Sequence, residues 1–408
     1  MTSANLLRDL RLSVQALDHP ALRGSRDPLE LFAAVSWSIL TEPGDQFSGF
    51  IRRSLGSSAA LALLVRGASR SEWFGALTDL GIKDEASELF GNLDETLGDS
   101  LARWMPRLSM SSVTNCLDVA GRIGVKLIDE QHEHWPLQLN DLQLATPSVL
   151  WLRGKSETLL STAKSWAVVG CRTPTSYGFD VTTSLVQGLA EHDFAVVSGG
   201  AFGIDAIAHR GALLIETPTV AVMAGGIDRL YPRSNEPLLQ QIISEGAVVS
   251  EVAISTAPTK WRFLQRNRII AALSAGTVVV EAGIRSGAIN TANHAMLLGR
   301  PIGAVPGSVL SAKSQGTNKL IADLKAVLVS GSKDLIDIYH GGMPHEEDSQ
   351  GSLSPLETRA LDAIGFGEVS REQICTAAGL TSGEANLALQ QLLMKGAVFQ
   401  RDGSFARA

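Results

Sequence analysis

The chain has 408 residues, 45% of them hydrophobic and 19% charged, with a formal net charge of −7. That length exceeds what one core ordinarily supports, and the balance is that of a packed globular protein of two or three domains, not of a disordered or fibrous chain. No run reaches the roughly eighteen uninterrupted apolar residues of a membrane span, and the start, MTSANLLRDLRLS, carries charge where a signal peptide needs an apolar stretch, so a cytoplasmic protein is expected.

Residues 1–126 alternate apolar periodic stretches with short breaks, as in PLELFAAVSWSIL (28–40), SAALALLVRG (58–67) and ASELFGNLDETLGDSLARWM (86–105). The three-to-four spacing of Leu, Phe, Val and Trp predicts a small helical N-terminal domain. His132-Glu-His134 places two metal-ligating side chains close together without a third partner and reads as surface. From Ser165 the texture changes. Short apolar runs rich in β-branched residues recur: WAVVG (166–170), FAVVS (194–198), TVAVMA (219–224), AVVSE (247–251), TVVVE (277–281) and PIGAV (301–305). Stretches of helical length separate them. This predicts an α/β domain over 127–338 with an extended Rossmann-like parallel sheet covered on both faces.

Residues 339–353 are rich in Gly, Ser and acid and read as a linker. Beyond it, 354–408 predicts three helices and a two-stranded ribbon turning at Asp402-Gly403, the pattern of a winged helix. Ser370 and Thr381 fall where N-caps belong, Gly379 and Gly396 where helices stop. The three cysteines (Cys116, Cys171, Cys375) are scattered and odd in number. They fit neither a disulfide framework nor zinc-ligand spacing and are expected reduced and mostly buried.

Four glycine turns follow predicted strands: Gly170-Cys-Arg172, the run Ser198–Asp205 with Gly199 and Gly203, Gly225-Gly226, and Ser286-Gly287-Ala-Ile-Asn290-Thr291. In an open parallel sheet ligands bind beyond the carboxyl ends of the strands, where glycine lets backbone approach a phosphate and helix starts offer N–H groups. Two nucleotide motifs fail. Gly154-Lys-Ser156 lacks the glycine five positions earlier, which is Val149, and 198–205 lacks the G-x-G-x-x-G order. NAD or ATP is therefore unsupported and no cofactor is expected.

Lys260-Trp-Arg-Phe-Leu-Gln-Arg-Asn-Arg268 packs four cations and two aromatics into nine residues. Helical spacing puts Lys260, Phe263 and Arg266 on one side, where cations suit phosphates and a ring suits a base. A core-facing amphipathic helix with solvated cations is the other reading. Charge distribution bears on the choice: between 255 and 325 there are 9 Lys+Arg against 2 Asp+Glu, a basic region on an acidic protein. His209, one helical turn after Asp205, predicts a structural Asp–His contact, and Glu281 is expected to orient an arginine such as Arg268 or Arg285.

The ordered motifs Gly170-x-Arg172, Ser198-Gly-x-Ala-x-Gly-Ile-Asp205, Tyr231-Pro232, Arg266-Asn-Arg-Ile-Ile270, Val280-Glu-Ala282, Ser286-Gly-Ala288 and Gly316-Thr-Asn318 resemble the DNA-processing protein A (DprA/Smf) family. The resemblance implies a Rossmann-like domain that binds single-stranded DNA, protects incoming strands and delivers the RecA recombinase onto them in natural transformation. It also implies a homodimer through the central domain, without membrane contact or catalysis. Carried over by position, Arg172 and the backbone at Gly170, Ser198, Gly199 and Gly203 would hold phosphates. Lys260, Arg266, Asn267 and Arg268 would continue the track, Phe263 would stack a base, and Ser286, Gly287, Asn290 and Lys319 would extend the site. Cys171 stands where the family has serine, Phe202 where many members carry arginine, and Leu264 where proline is usual.

Two other functions compete. Nucleotide phosphoribohydrolases share this fold class and act through a glutamate, whose position here is Asn293, and a neutral amide cannot take that role. A duplex-DNA regulator would need cations on the recognition helix near 383–395, which has only Lys395.

Overall fold

A computed structural model describes residues 19–22, 25–342, 353–365, 367–401 and 403–407. The chain divides into two compact units, residues 1–344 and 345–408. Most of the predicted linker lies outside the described residues.

The first unit is built on a nine-stranded sheet. Its strands are β1 (Lys126–Ile128), β2 (Leu150–Gly154), β3 (Ser165–Val169), β4 (Ala195–Ser198), β5 (Thr219–Met223), β6 (Ala247–Ser250), β7 (Gly276–Val279), β8 (Ile302–Ala304) and β9 (Val327–Leu328). Spatial order is β1-β2-β6-β5-β4-β3-β7-β8-β9. The six apolar runs become β3 to β8, paired in parallel throughout. Their side chains alternate between two cores: Ala167, Val169, Val197 and Val279 turn to one, Trp166, Val168, Val196 and Val278 to the other. With both faces buried, polar alternation is absent, which is why the strands are apolar throughout. The sheet is not wholly parallel: β2 joins β6 antiparallel and β1 pairs back onto β2.

Order runs one way from β3 to β6, then resumes at β7 on the other side of β3. The carboxyl ends of β3 and β7 therefore flank a topological switch point, where connections leave in opposite directions and open a crevice.

Seven α-helices lie between Pro28 and Arg122. The first, Pro28–Leu40, starts at Asp27, whose carboxylate accepts from the N–H groups of Leu29 and Glu30, with Pro28 at the first helical position. Trp37 meets Trp104 edge to face at 5.1 Å. This helical core is continuous with the sheet: Phe32, Trp37 and Leu61 share one cluster with Trp151, Leu239 and Val248. Trp151 Nε1 donates to Ser38 Oγ at 3.3 Å.

The second unit contains the helices Pro355–Ile364, Arg371–Ala378 and Ser382–Met394 and a small sheet of order β10-β12-β11, where β10 is Val369–Ser370, β11 Val398–Arg401 and β12 Ser404–Arg407. Ser370 and Thr381 each close a capping box, and Gly379 takes the left-handed conformation that ends its helix. The expected two-stranded ribbon gains β10 as a third strand. The three helices and wing enclose their own core around Ile364, Ile374, Leu389 and Phe405.

Candidate nucleic-acid interface

A cleft of about 760 Å³ opens at the switch point, lined by Gly170 to Arg172, by Lys260, Phe263, Leu264, Arg266 and Asn267, and by Gly283 and Arg285 to Ala288. Four segments build it, the turn that follows β4 adding Ala201 and Asp205 to the lining.

The loop after β3 presents Arg172, which is exposed, with its guanidinium carbon 5.7 Å from the Phe263 ring centroid. Gly170 is required by packing, because a Cβ there would lie 2.5 Å from the Ile204 side chain. Gly203, at φ +78°, passes so close to this loop that a Cβ would sit 2.2 Å from the Cys171 carbonyl oxygen. Glu281 does not orient an arginine. Its carboxylate accepts from Thr175 N at 2.9 Å, from Thr175 Oγ1 at 2.6 Å and from Cys171 Sγ at 3.6 Å. Burial, and then the Glu281 charge, push the Cys171 thiol upward, so it stays protonated and unreactive.

The turn at 198–203 is held from within. Ser198 is buried and donates to the Val168 carbonyl at 2.7 Å. Gly199 N donates to Asp205 Oδ2 at 3.1 Å, and its carbonyl accepts from Arg266 Nη1 at 2.7 Å. The same nitrogen reaches the Val222 carbonyl at 2.6 Å. Arg266 thus ties two strand ends together instead of reaching outward. Burial lowers it to about 10, against the raising effect of Asp205, so it remains charged near neutrality. The expected Asp205–His209 contact is replaced: His209 Nδ1 pairs with Thr219 Oγ1 at 2.8 Å, while Asp205 serves Gly199. Asn235 Nδ2 donates to the carbonyls of Gly200 and Ala201 at 3.0 and 3.1 Å, closing the turn from the other side.

The helix Lys260–Leu273 is capped by Thr259, which accepts from Arg262 N. Lys260 is exposed, Phe263 half-buried and Trp261 55% exposed. The helix differs along its length: its start borders the cleft and its end, from Ile269 to Leu273, is core. Arg268 leaves the predicted phosphate track. Its Nη2 reaches Glu251 at 2.5 and 2.6 Å, with its side chain 4% exposed. Arg262 turns to Glu42 at 2.8 and 3.0 Å. Burial raises the Glu42 carboxyl, but Arg262 and Arg107 outweigh that and leave it lowered.

After β7, Ser286 caps the helix Gly287–Leu297 by accepting from Ala288 N at 3.3 Å. Asn267 Nδ2 donates to the Gly287 carbonyl at 3.2 Å and to Asn290 Oδ1 at 3.0 Å. A Cβ on Gly287 would meet nothing nearer than 4.0 Å, so backbone here faces open space. Asn290 is outside the cleft lining, and Lys319 stands elsewhere, on the helix Gln315–Ala322, paired with Asp323 at 3.1 Å.

Of the nine cations between 255 and 325, then, six are engaged: Arg266 by backbone carbonyls, and Arg262, Arg268, Arg300, Lys319 and Lys325 by carboxylates. Among the described residues Lys260, Arg285 and Lys313 have no ion pair, nor does Arg172. Sequence reasoning passed over two of these. Arg285 lines the cleft, and Lys313 is near enough to favour the Cys171 thiolate electrostatically. The local charge count was the signal for both. Tyr231, 5.6 Å from the Phe263 ring, was also missed as a neighbour of the site. No cluster of metal-ligating side chains exists among the described residues.

Fold and site define an extended Rossmann-like protein with a cationic switch-point cleft and an appended winged helix. The family profile described as DNA recombination-mediator protein A matches residues 126–340, and that of the DprA winged helix domain matches 344–404. A putative DNA processing protein DprA of Mycobacterium tuberculosis is 37% identical over 329 residues, covering 75% of this chain and 83% of its own length. DNA processing protein DprA of Bacillus subtilis is 36% identical over 198 residues, covering 48% and 66%. The X-ray structure of DNA processing protein A from Streptococcus pneumoniae superposes with a TM-score of 0.58 at 27% identity, covering 74% of this chain and 95% of that one. The chain belongs to the DNA-processing protein A (DprA/Smf) family.

Proposed function

We propose that the protein binds single-stranded DNA without sequence preference at the switch-point cleft, and does no chemistry on it. It acts in the cytoplasm as a homodimer through the central unit, protecting incoming strands and delivering a RecA-type recombinase onto them, as the family resemblance implies. The observation that carries the DNA reading is the rim of Arg172, Lys260 and Arg285, cations without ion pairs among the described residues, around a cleft that also offers the Phe263 ring. Unpaired cations along a cleft suit a phosphate backbone, and a ring beside Arg172 suits an unpaired base of any identity. Ser198, Gly199 and Arg266 support the site from below, and Arg268 belongs to the core. The binder reading is favoured over catalysis because both carboxylates near the cleft, Asp205 and Glu281, are occupied by hydrogen bonds from the loops they hold.

Fluorescence anisotropy of a labelled oligo-dT, with duplex and nucleoside monophosphates as competitors, tests it. The reading expects salt-sensitive binding that duplex competes for poorly and monophosphates do not displace. Displacement or turnover of a monophosphate would move the site to the phosphoribohydrolase class.

A further inference from the structure

A carboxylate beneath an anion-binding loop ought to weaken the site, yet Glu281 lies there, 2% exposed. It grips the loop at three points. Its main-chain oxygen accepts from Cys171 N at 2.6 Å. Its carboxylate accepts from Thr175 N and Oγ1 at 2.9 and 2.6 Å. Gly178, one turn further on, leaves the carboxylate its room, since a Cβ there would lie 2.3 Å from Oε2. These points bracket Arg172. Its own guanidinium lies 5.7 Å from the Phe263 ring and makes no ion pair among the described residues, so the loop backbone sets its place.

We infer that Glu281 is a positioning residue for DNA: it pins the segment 171–178 so that Arg172 is held over the cleft before the ligand arrives. The inference rests on the single-strand reading above. A pinned loop loses little conformational freedom on binding, whereas a loose one must be ordered by the ligand. Charge and positioning then oppose each other, and the sign of one measurement separates them. By Coulomb's law alone, deleting a carboxylate beside a phosphate site tightens binding. If the carboxylate positions Arg172, deletion weakens it.

The test uses the full chain, oligo-dT anisotropy across a salt series, and the variants Glu281→Ala, Thr175→Val and Arg172→Ala, singly and combined. Thr175→Val cuts the same hydrogen bond from the other end and leaves the carboxylate in place. Each of the two loop variants should lower affinity roughly tenfold and flatten the salt slope by about 0.7, the share of one phosphate contact on a single strand. Each should add little once Arg172 is already alanine. Thr175→Ser, which keeps the donor, should restore wild-type binding. Unchanged or tighter binding by Glu281→Ala, or losses that add fully to that of Arg172→Ala, would overturn the inference while leaving the DNA reading intact. A wild-type chain that ignores oligo-dT would instead remove the reading beneath it. Should Glu281→Ala lose its cooperative unfolding transition, Thr175→Val and its serine rescue decide the matter alone.

Discussion

Arg266 and Arg268 sit two positions apart on one helix and answer to different partners: one ties the ends of β4 and β5, the other closes on Glu251. A count of cations records both as basic surface. Only packing separates them from Lys260, because a side chain's direction depends on which turn of the helix has entered the core. Burial also changes chemistry beneath the site. His209 is fully buried, with Nε2 unpartnered, and burial followed by the Arg266 charge lowers it to about 3. In the unfolded chain an ordinary histidine titrates near 6.5. The folded state therefore refuses a proton that the unfolded state accepts. Stability present above that value is lost as pH falls toward the folded value, by up to about 1.4 kcal/mol per pH unit from this group. His209→Asn removes the titration and keeps a partner for Thr219. Urea unfolding of both chains at about pH 7 and about pH 5 should show the wild type losing ground to the variant by about 1 kcal/mol or more. An unchanged gap would mean that His209 is protonated in the fold.

At the scale of elements, the long strands were legible and the short ones were not. Runs such as TVAVMA announce buried strands because both faces are apolar, whereas β1 and β9 have three and two residues and too little pattern to rise above a loop. The stretch LWLRG becomes β2, an antiparallel strand between β1 and β6 whose alternating Leu and Trp face two cores. In the second unit the caps were readable because Ser370 and Thr381 each have a Gln or Glu three residues on. Its recognition helix exposes Leu387 and Met394, at 53% and 89%. Lys395, just beyond it, turns inward to the nearly buried Glu357 at 2.8 Å. That face suits protein contact better than a phosphate backbone. Deleting residues 340–408 should leave affinity for oligo-dT within about twofold at a given salt. A loss of ten times or more would place part of the DNA site on the winged helix.

Over the whole molecule a net charge of −7 conceals a cationic cleft, and the local count of nine against two overstates it, since most of those cations are engaged in the fold. The switch point itself could not be read from the sequence, because strand order depends on pairings between segments far apart in the chain. Three of the four glycine turns lie on loops that gather there, the Gly225-Gly226 turn falling outside the lining; the order of β3 and β7 made those three one site. The central claim is that Arg172, Lys260 and Arg285, grouped on this rim, meet DNA phosphates. The most direct measurement is the salt dependence of oligo-dT affinity for the wild type and for the chain carrying Arg172→Ala, Lys260→Ala and Arg285→Ala together. Three lost phosphate contacts should reduce the slope of log affinity against log salt by about 2, equally for all base sequences. A triple variant that keeps the wild-type slope would contradict the account and place the DNA elsewhere on the protein.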